Sequence, residues 1–247
     1  MTFHMQAWLL IGWMALPLAA GDNAPPSTAS QGELDPALKK ELETLAEKLK
    51  GMRDLATDFE ELKYSALLKE PLVSKGRMRV VGGRSQWDTI SPKPNSMIVD
   101  SAQVRIYYPE RATMEVYEFD EKLRWLTFWP MPELSVLIER FFIERIPVAE
   151  LGTSETGAML LGLRLRPRDD AVGEYLRRVD VVLNTATAIV VRVEIVDADG
   201  DRTVTSFSNT RPNGGLSEKD VEFIVPPGTQ TVRPLAKIEK APPDAGP

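Results

Sequence analysis

Between residues 56 and 225, apolar side chains recur at every second position in run after run. Phe59 with Leu62 and Tyr64, Met78 with Val80, Trp87 with Thr89, and Met97 with Val99 open the series. Val104, Ile106 and Tyr108 continue it, followed by Met114 and Val116. A period of two sends alternate side chains to opposite faces of a strand, so each run has one apolar face. Gly82-Gly83, Ser91-Pro92-Lys93-Pro94-Asn95 and Pro109-Glu110 punctuate the runs with turn residues. The alternation resumes with Met159, Leu161, Leu163 and Leu165, then Val179, Val181 and Leu183, then Ile189, Val191, Val193 and Ile195. Asp199-Gly200 supplies a hairpin turn, residues 202–209 (with Phe207) return, and Val221, Phe223 and Val225 are expected to close the sheet. The pattern predicts an antiparallel meander of about ten or eleven strands with one apolar face.

Two segments break that period. Leu38, Leu42, Leu45, Leu49 and Met52 recur at spacings of four and three behind Asp35-Pro36. That is an amphipathic helix, with an N-cap aspartate and a proline at its first position. Its Lys and Glu residues read as a solvated face. In the middle of the chain, Pro130-Met131-Pro132 precede a segment in which Leu134, Leu137, Ile138, Phe141 and Phe142 fit one helical face. The fold class is therefore mainly β with helices (α+β).

A sheet this wide with a single apolar face must curl and cover that face. Two helical segments are too few to fill the concavity densely, and the surface left over would be an apolar cavity suited to an acyl chain. On composition alone an ordinary packed β core is the favoured reading. The expected lining is Phe59, Met78, Val80, Trp87, Val99, Val104, Ile106, Met114, Val116, Leu161, Leu163, Val181, Val191, Val193, Ile195, Phe207 and Phe223 on the strands. Leu137, Phe141 and Phe142 join it from the helix above.

Residues 7–20 form an uncharged apolar run ending in Ala19-Ala20-Gly21, the small residues a signal peptidase reads. Residues 1–21 are expected to be a cleaved signal peptide, and the chain to be exported to the periplasm. Cysteine is absent, which excludes disulfides, thiolate catalysis and lipid attachment to a Cys. The one histidine, His4, lies in the expected signal peptide, so no imidazole remains for a triad or a metal. The formal charge of −6, with scattered Lys and Arg, argues against a nucleic-acid partner. No cofactor and no metal are expected. Asp197-Ala198-Asp199-Gly200-Asp201 lacks the spacing of a calcium loop, and Gly82-Gly83-Arg84 lacks that of a phosphate loop. Residues 22–33 read as a flexible leader, 34–232 as one folded domain, and 233–247 as a disordered Pro-rich tail.

A family resemblance runs through the ordered set of motifs. Leu72-Val73-Ser74-Lys75-Gly76-Arg77-Met78-Arg79-Val80, Trp87-Asp88, Ser91-Pro92, Ile98-Val99-Asp100 and Val104-Arg105-Ile106-Tyr107-Tyr108-Pro109 are similar to the pattern of the outer-membrane lipoprotein carrier (LolA-like) family. So are Leu163-Arg164-Leu165-Arg166-Pro167, the stretch from Val191 to Asp197, Gly200, Ser206-Phe207-Ser208-Asn209, Asn213 and the closing Val221-Glu222-Phe223-Ile224-Val225-Pro226-Pro227-Gly228. The resemblance implies an open antiparallel half-barrel with a helical lid over its concave apolar face. It also implies a non-enzymatic, monomeric carrier whose cavity takes lipoprotein acyl chains from an inner-membrane transporter and passes them to an outer-membrane acceptor. The family's basic-Pro motif, whose Arg contacts the lid, is replaced here by Val81-Gly82-Gly83, leaving Arg84 as the candidate lid latch. Two other functions remain open: a periplasmic sensor or regulator on the same half-barrel, and a carboxylate-based hydrolase.

Overall fold

A computed structural model describes residues 34–118, 134–152 and 159–234. The expected signal peptide and leader, the Pro130-to-Glu133 segment expected to open the middle helix, and the expected tail beyond residue 234 lie outside the described residues. Twelve strands form one sheet: β1 (Asp54–Tyr64), β2 (Leu72–Val81), β3 (Arg84–Ser91), β4 (Asn95–Val99), β5 (Gln103–Tyr108), β6 (Thr113–Glu118), β7 (Phe141–Ile146), β8 (Leu160–Pro167), β9 (Leu176–Asn184), β10 (Val190–Asp197), β11 (Arg202–Pro212) and β12 (Gln230–Val232). Their order is β12-β6-β5-β4-β3-β2-β1-β11-β10-β9-β8-β7. Two meanders, β1 to β6 and β7 to β11, thus join where β1 pairs with β11. β7 and β12 do not meet, so the sheet is an open half-barrel, antiparallel except where β12 runs parallel to β6.

Helix α1 (Pro36–Leu49) begins as its sequence dictates. The Asp35 carboxylate accepts the Leu38 amide at 2.8 Å and Pro36 occupies the first turn. Its buried stripe of Leu38, Leu42 and Leu45 packs on Leu161, Leu163 and Leu165 of β8 and Val179, Val181 and Leu183 of β9. We call the face of the sheet beneath α1 the inner face. Its centre is an aromatic cluster, with Trp87 5.3 Å from Phe59 and 6.0 Å from Phe207 between ring centroids. The Phe59 ring lies over Gly76, where a Cβ would come within 2.6 Å of it. Toward β6 a third cluster joins Val99, Val104, Ile106, Tyr108 and Tyr117.

The outer face of β8 to β11 is a ladder of ion pairs. Asp180 is buried, and accepts from Arg164 at 2.7 and 2.9 Å and from Arg178 at 3.0 Å. Arg178, Arg192 and Arg202 converge on Glu194 in the next row. Burial pushes the Asp180 carboxyl upward, but the hydrogen bonds from Arg164 and Arg178 outweigh it and hold its pKa below the usual range.

The open antiparallel half-barrel is as expected, with twelve strands where about ten or eleven were expected. Three expectations about its details need correction. The middle helix, α2 (Leu134–Arg140), stops before Phe141 and Phe142, which begin β7. Their aromatic, β-branched sequence fits either structure, and pairing with the free edge of β8 decides for the strand. In β10, Val190 faces Leu183 while Arg192 faces Val182, so Val191 is the extra residue of a bulge. The bulge shifts parity: Val190 and Val193 join the inner cluster, while Val191 packs on Ile146, Leu151 and Val182 outside. Lastly, Val221, Phe223 and Val225 form no strand. After Pro212, left-handed Asn213 and Gly215 turn the chain out of the ladder, and buried Asp54 accepts the Gly214 and Gly215 amides at 2.7 and 3.1 Å. The segment then crosses the outer face as a strap, and the closing strand is β12.

Candidate functional site

Between the helices and β7 to β10, the inner face is not filled. A crevice of about 660 Å³, counted to its open mouth, is lined by Leu42, Leu45, Ala46 and Leu49 of α1 and by Leu134 and Leu137 of α2. Its floor is Ile143, Leu163, Leu165, Val181, Leu183, Ala188 and Val190. Every lining side chain is apolar and none titrates. The crevice exists because the leucine stripe of α1 carries one short residue, Ala46, and the turn into β10 carries another, Ala188. A much smaller void, with room for no more than about one water, lies between Met52, Leu55, Thr57, Met78, Ile189, Val190, Phe207 and Thr210. Val190 borders both, so the two spaces adjoin.

The expected lining residues divide into groups. Leu137, Leu163 and Val181 line the crevice, and Met78 and Phe207 line the smaller void. Phe141, Leu161 and Val193 are buried in the cluster under α1, with Ile195 packed against it. Phe59, Val80 and Trp87 belong to the aromatic centre. Val99, Val104 and Ile106 share the inner face but sit in the separate cluster toward β6.

Five of the expected residues point the other way. Met114 and Val116 pair across the sheet with Tyr107 and Arg105, whereas the inner face of β6 is Glu115 and Tyr117. Alternation in β6 is apolar on both faces, so the choice of Met114 and Val116 was open to error of one residue. Phe223 stacks on Tyr107 at 6.0 Å outside, Phe142 lies beneath the Arg168 guanidinium, and Val191 is moved outward by its bulge. Arg84 is also outside. It donates to Glu222 of the strap at 3.0 Å, beside Arg105 at 3.1 Å, so it holds the strap and not a helix over the inner face.

Sequence reasoning missed Leu42, Leu45, Ala46 and Leu49 as lining, having read the helix stripe as packing alone. It missed Leu134, Ile143, Leu165, Leu183 and Ala188 for want of knowing where α1 lies, and Val190 because of the bulge. On the β6 side, buried Glu115 accepts from the Tyr117 hydroxyl at 2.8 Å. Burial, together with Glu115, pushes both the Tyr108 and the Tyr117 phenols upward, so they stay protonated as donors. Among the described residues no group of three His, Cys, Asp or Glu side chains is placed to hold a metal ion.

An open antiparallel half-barrel, its inner face bridged by a leucine-striped helix over an apolar crevice, is the class of protein defined so far. In sequence the chain is similar to carrier proteins of two Pseudomonas species. It is 23% identical over 152 residues to outer-membrane lipoprotein carrier proteins of Pseudomonas paraeruginosa and Pseudomonas aeruginosa, an alignment spanning 61% of this chain and 67% of theirs. Among solved structures, an uncharacterized conserved protein from Thermus thermophilus superposes with a TM-score of 0.50 at 11% identity, covering 80% of this chain and 99% of that one. A LolA superfamily protein from Nitrosomonas europaea gives 0.41 at 11% identity, over 75% of this chain and 97% of its own. No protein-family model matches the sequence.

Proposed function

We propose that this chain is a periplasmic carrier that holds the acyl chains of lipoproteins, or of a related lipid, in the crevice beneath α1. The observation that carries the reading is the crevice itself: about 660 Å³ with an entirely apolar lining, open at its mouth. Each methylene moved from water into such a space contributes about 0.8 kcal/mol, so an acyl chain is the natural occupant. The lining offers no nucleophile, acid or base, which suits carriage and not hydrolysis. The likeness to outer-membrane lipoprotein carrier proteins supports the same cargo. An inner-membrane donor and an outer-membrane acceptor belong to the same proposal, and the apolar run ending in Ala19-Ala20-Gly21 adds cleavage of a signal peptide near Ala20 or Gly21.

Native mass spectrometry of the protein taken from a periplasmic extract tests the reading. The expected spectrum shows a mature chain starting near Gly21 or Asp22 with adducts of acyl-chain mass. A chain that retains Met1, or one that binds no acylated probe after delipidation, overturns it.

A further inference from the structure

Among the described residues, Val190 alone lines both the crevice and the void beside it. The bulge at Val191 puts it there. Pairing with Leu183 of the floor, Val190 faces inward while Val191 packs outside. Bulges of this kind re-aim a side chain, and here the side chain becomes a partition.

The crevice is closed on this side. The Lys48 amine of α1 donates to the Thr185 and Ala186 carbonyls at 2.7 and 3.2 Å, which ties the end of the helix to the turn before Ala188. Leu183, Ala188 and Val190 are buried, whereas Leu134 and Leu137 of α2 and Ile143 of β7 are only half-buried. The mouth therefore lies toward α2 and β7, and a chain that enters there meets Val190 with its methyl end. Behind the valine, the void is apolar apart from two threonines. The Thr57 hydroxyl donates to the Ser208 carbonyl at 2.9 Å and pairs with the Thr210 hydroxyl at 2.8 Å, so neither is left to hold a water in place.

We propose that Val190 sets the length of acyl chain the crevice accepts, as the wall that stops the chain short of the void. This rests on the carrier reading and gives that cargo a chain-length limit. Carbons beyond the limit stay at the mouth, in water, and add nothing to affinity. Val190→Ala removes two carbons, and the surroundings of a shortened core residue close up only in part. The crevice then runs on into the void with room for about two more methylenes, each multiplying affinity about fourfold when buried. Val190→Leu adds one carbon and shortens the path by about one methylene.

The test uses the delipidated full chain and a series of monoacyl glycerol esters in which each tail is two methylenes longer than the last. Each ester is titrated by displacement of a fluorescent probe from wild type, Val190→Ala, Val190→Leu and Val193→Ala. Val193 is buried further along β10 and lines neither space, so its truncation matches the loss of a buried valine without moving the wall. In wild type, affinity should rise with each step and then level off. In Val190→Ala the limit should move out by one step, and the first ester beyond the wild-type limit should gain about tenfold. In Val190→Leu the ester at the wild-type limit should weaken about fourfold. In Val193→Ala the limit should stay where it is. Val190→Leu removes no packing, so it decides the matter if the alanine variant does not fold. An affinity that never levels off in wild type, a limit unmoved by both Val190 variants, or one moved equally by Val193→Ala overturns the assignment and leaves the carrier reading standing. Failure of every ester to bind any of the four proteins overturns both.

Discussion

Replacing Ala46 by leucine separates an open crevice from a filled core by the sign of its effect. Ala46 is half-buried on α1 and lines the crevice opposite the floor residues Leu163 and Val181. Leucine adds three carbons, each contributing about 0.8 kcal/mol when fully buried. With the crevice open at its mouth, burial is partial and the expected gain is about 1 kcal/mol. Helix propensity changes little, since alanine and leucine are both strong helix formers. For a domain of this size 1 kcal/mol corresponds to about 2–4 °C in melting temperature. The same leucine occupies the space a cargo chain would fill. Losing contact with two or three methylenes should weaken an acylated probe about tenfold or more. In a filled core the three carbons would overpack, at a cost of about 1–3 kcal/mol. Thermal unfolding followed by circular dichroism, beside a probe titration, reads both quantities. A melting temperature lowered by several degrees, or raised with probe affinity unchanged, refutes the crevice as the site.

Three further substitutions test the frame around it. Asp180→Asn leaves Arg164 and Arg178 without their shared carboxylate; breaking a buried pair costs about 3–5 kcal/mol, and the partial exposure of both arginines brings the expectation to about 2–3 kcal/mol. Because the folded-state pKa of Asp180 is depressed, its stabilisation is fully present above about pH 4 and is lost as the pH falls toward the folded value. Acid titrations of wild type and Asp180→Asn should therefore converge at low pH, and parallel curves would contradict the assignment. Gly76→Ala would place a Cβ 2.1 Å from the Asp88 carbonyl oxygen, a backbone atom that cannot swing aside, and should lower the melting temperature by several degrees; a change within 1 °C would show that β2 and β3 lie further apart. Glu61 has the opposite sign to Asp180. Burial raises its folded pKa to about 7, so wild type loses stability as the pH rises from about 4.5 to 7. Glu61→Gln should accordingly raise the melting temperature more at pH 8 than at pH 5, and an equal gain at both would place the carboxyl in solvent.

Most strands were legible because alternation is a local signal that survives without tertiary knowledge. β2, β3, β4, β5, β8 and β9 each present as inner residues the ones their alternation marks, such as Met78, Trp87, Val99, Ile106, Leu163 and Val181. The N-terminal helix was equally plain, since Asp35, Pro36 and the leucine spacing agree. Alternation failed where both faces of a strand are covered. β6 is apolar outside at Val116, beneath Arg105, and carries Glu115 and Tyr117 inside. It failed again at β10, where an added residue reverses the count midway and no sequence pattern announces the bulge. The strap was misread for a related reason. Val221-Glu222-Phe223 alternates like a strand, but alternation records only that one side is buried, and here the apolar side chains lie on the back of the sheet while Glu222 reaches Arg84 and Arg105.

The crevice was the least legible feature because it is a matter of missing volume. A leucine stripe over a strand face of leucines and valines reads the same whether the two surfaces interdigitate or stand apart. What separates them is the size of residues distant in sequence that converge on one spot. Ala46 of α1, Ala188 before β10, and Leu163 and Val181 on neighbouring strands meet only once the meander has brought β8 and β9 under the helix. Alanine favours the helix at position 46, whereas Ala188 holds a left-handed backbone conformation in the turn that glycine would adopt more readily. Their joint shortness leaves space that no single segment encodes. The expectation of a cavity came instead from counting, with too few helical residues for so wide a sheet. That argument gives the existence of unfilled surface but not its address. The address is set by α1, whose leucine stripe covers the β8 and β9 leucines and whose Ala46 leaves the gap above them.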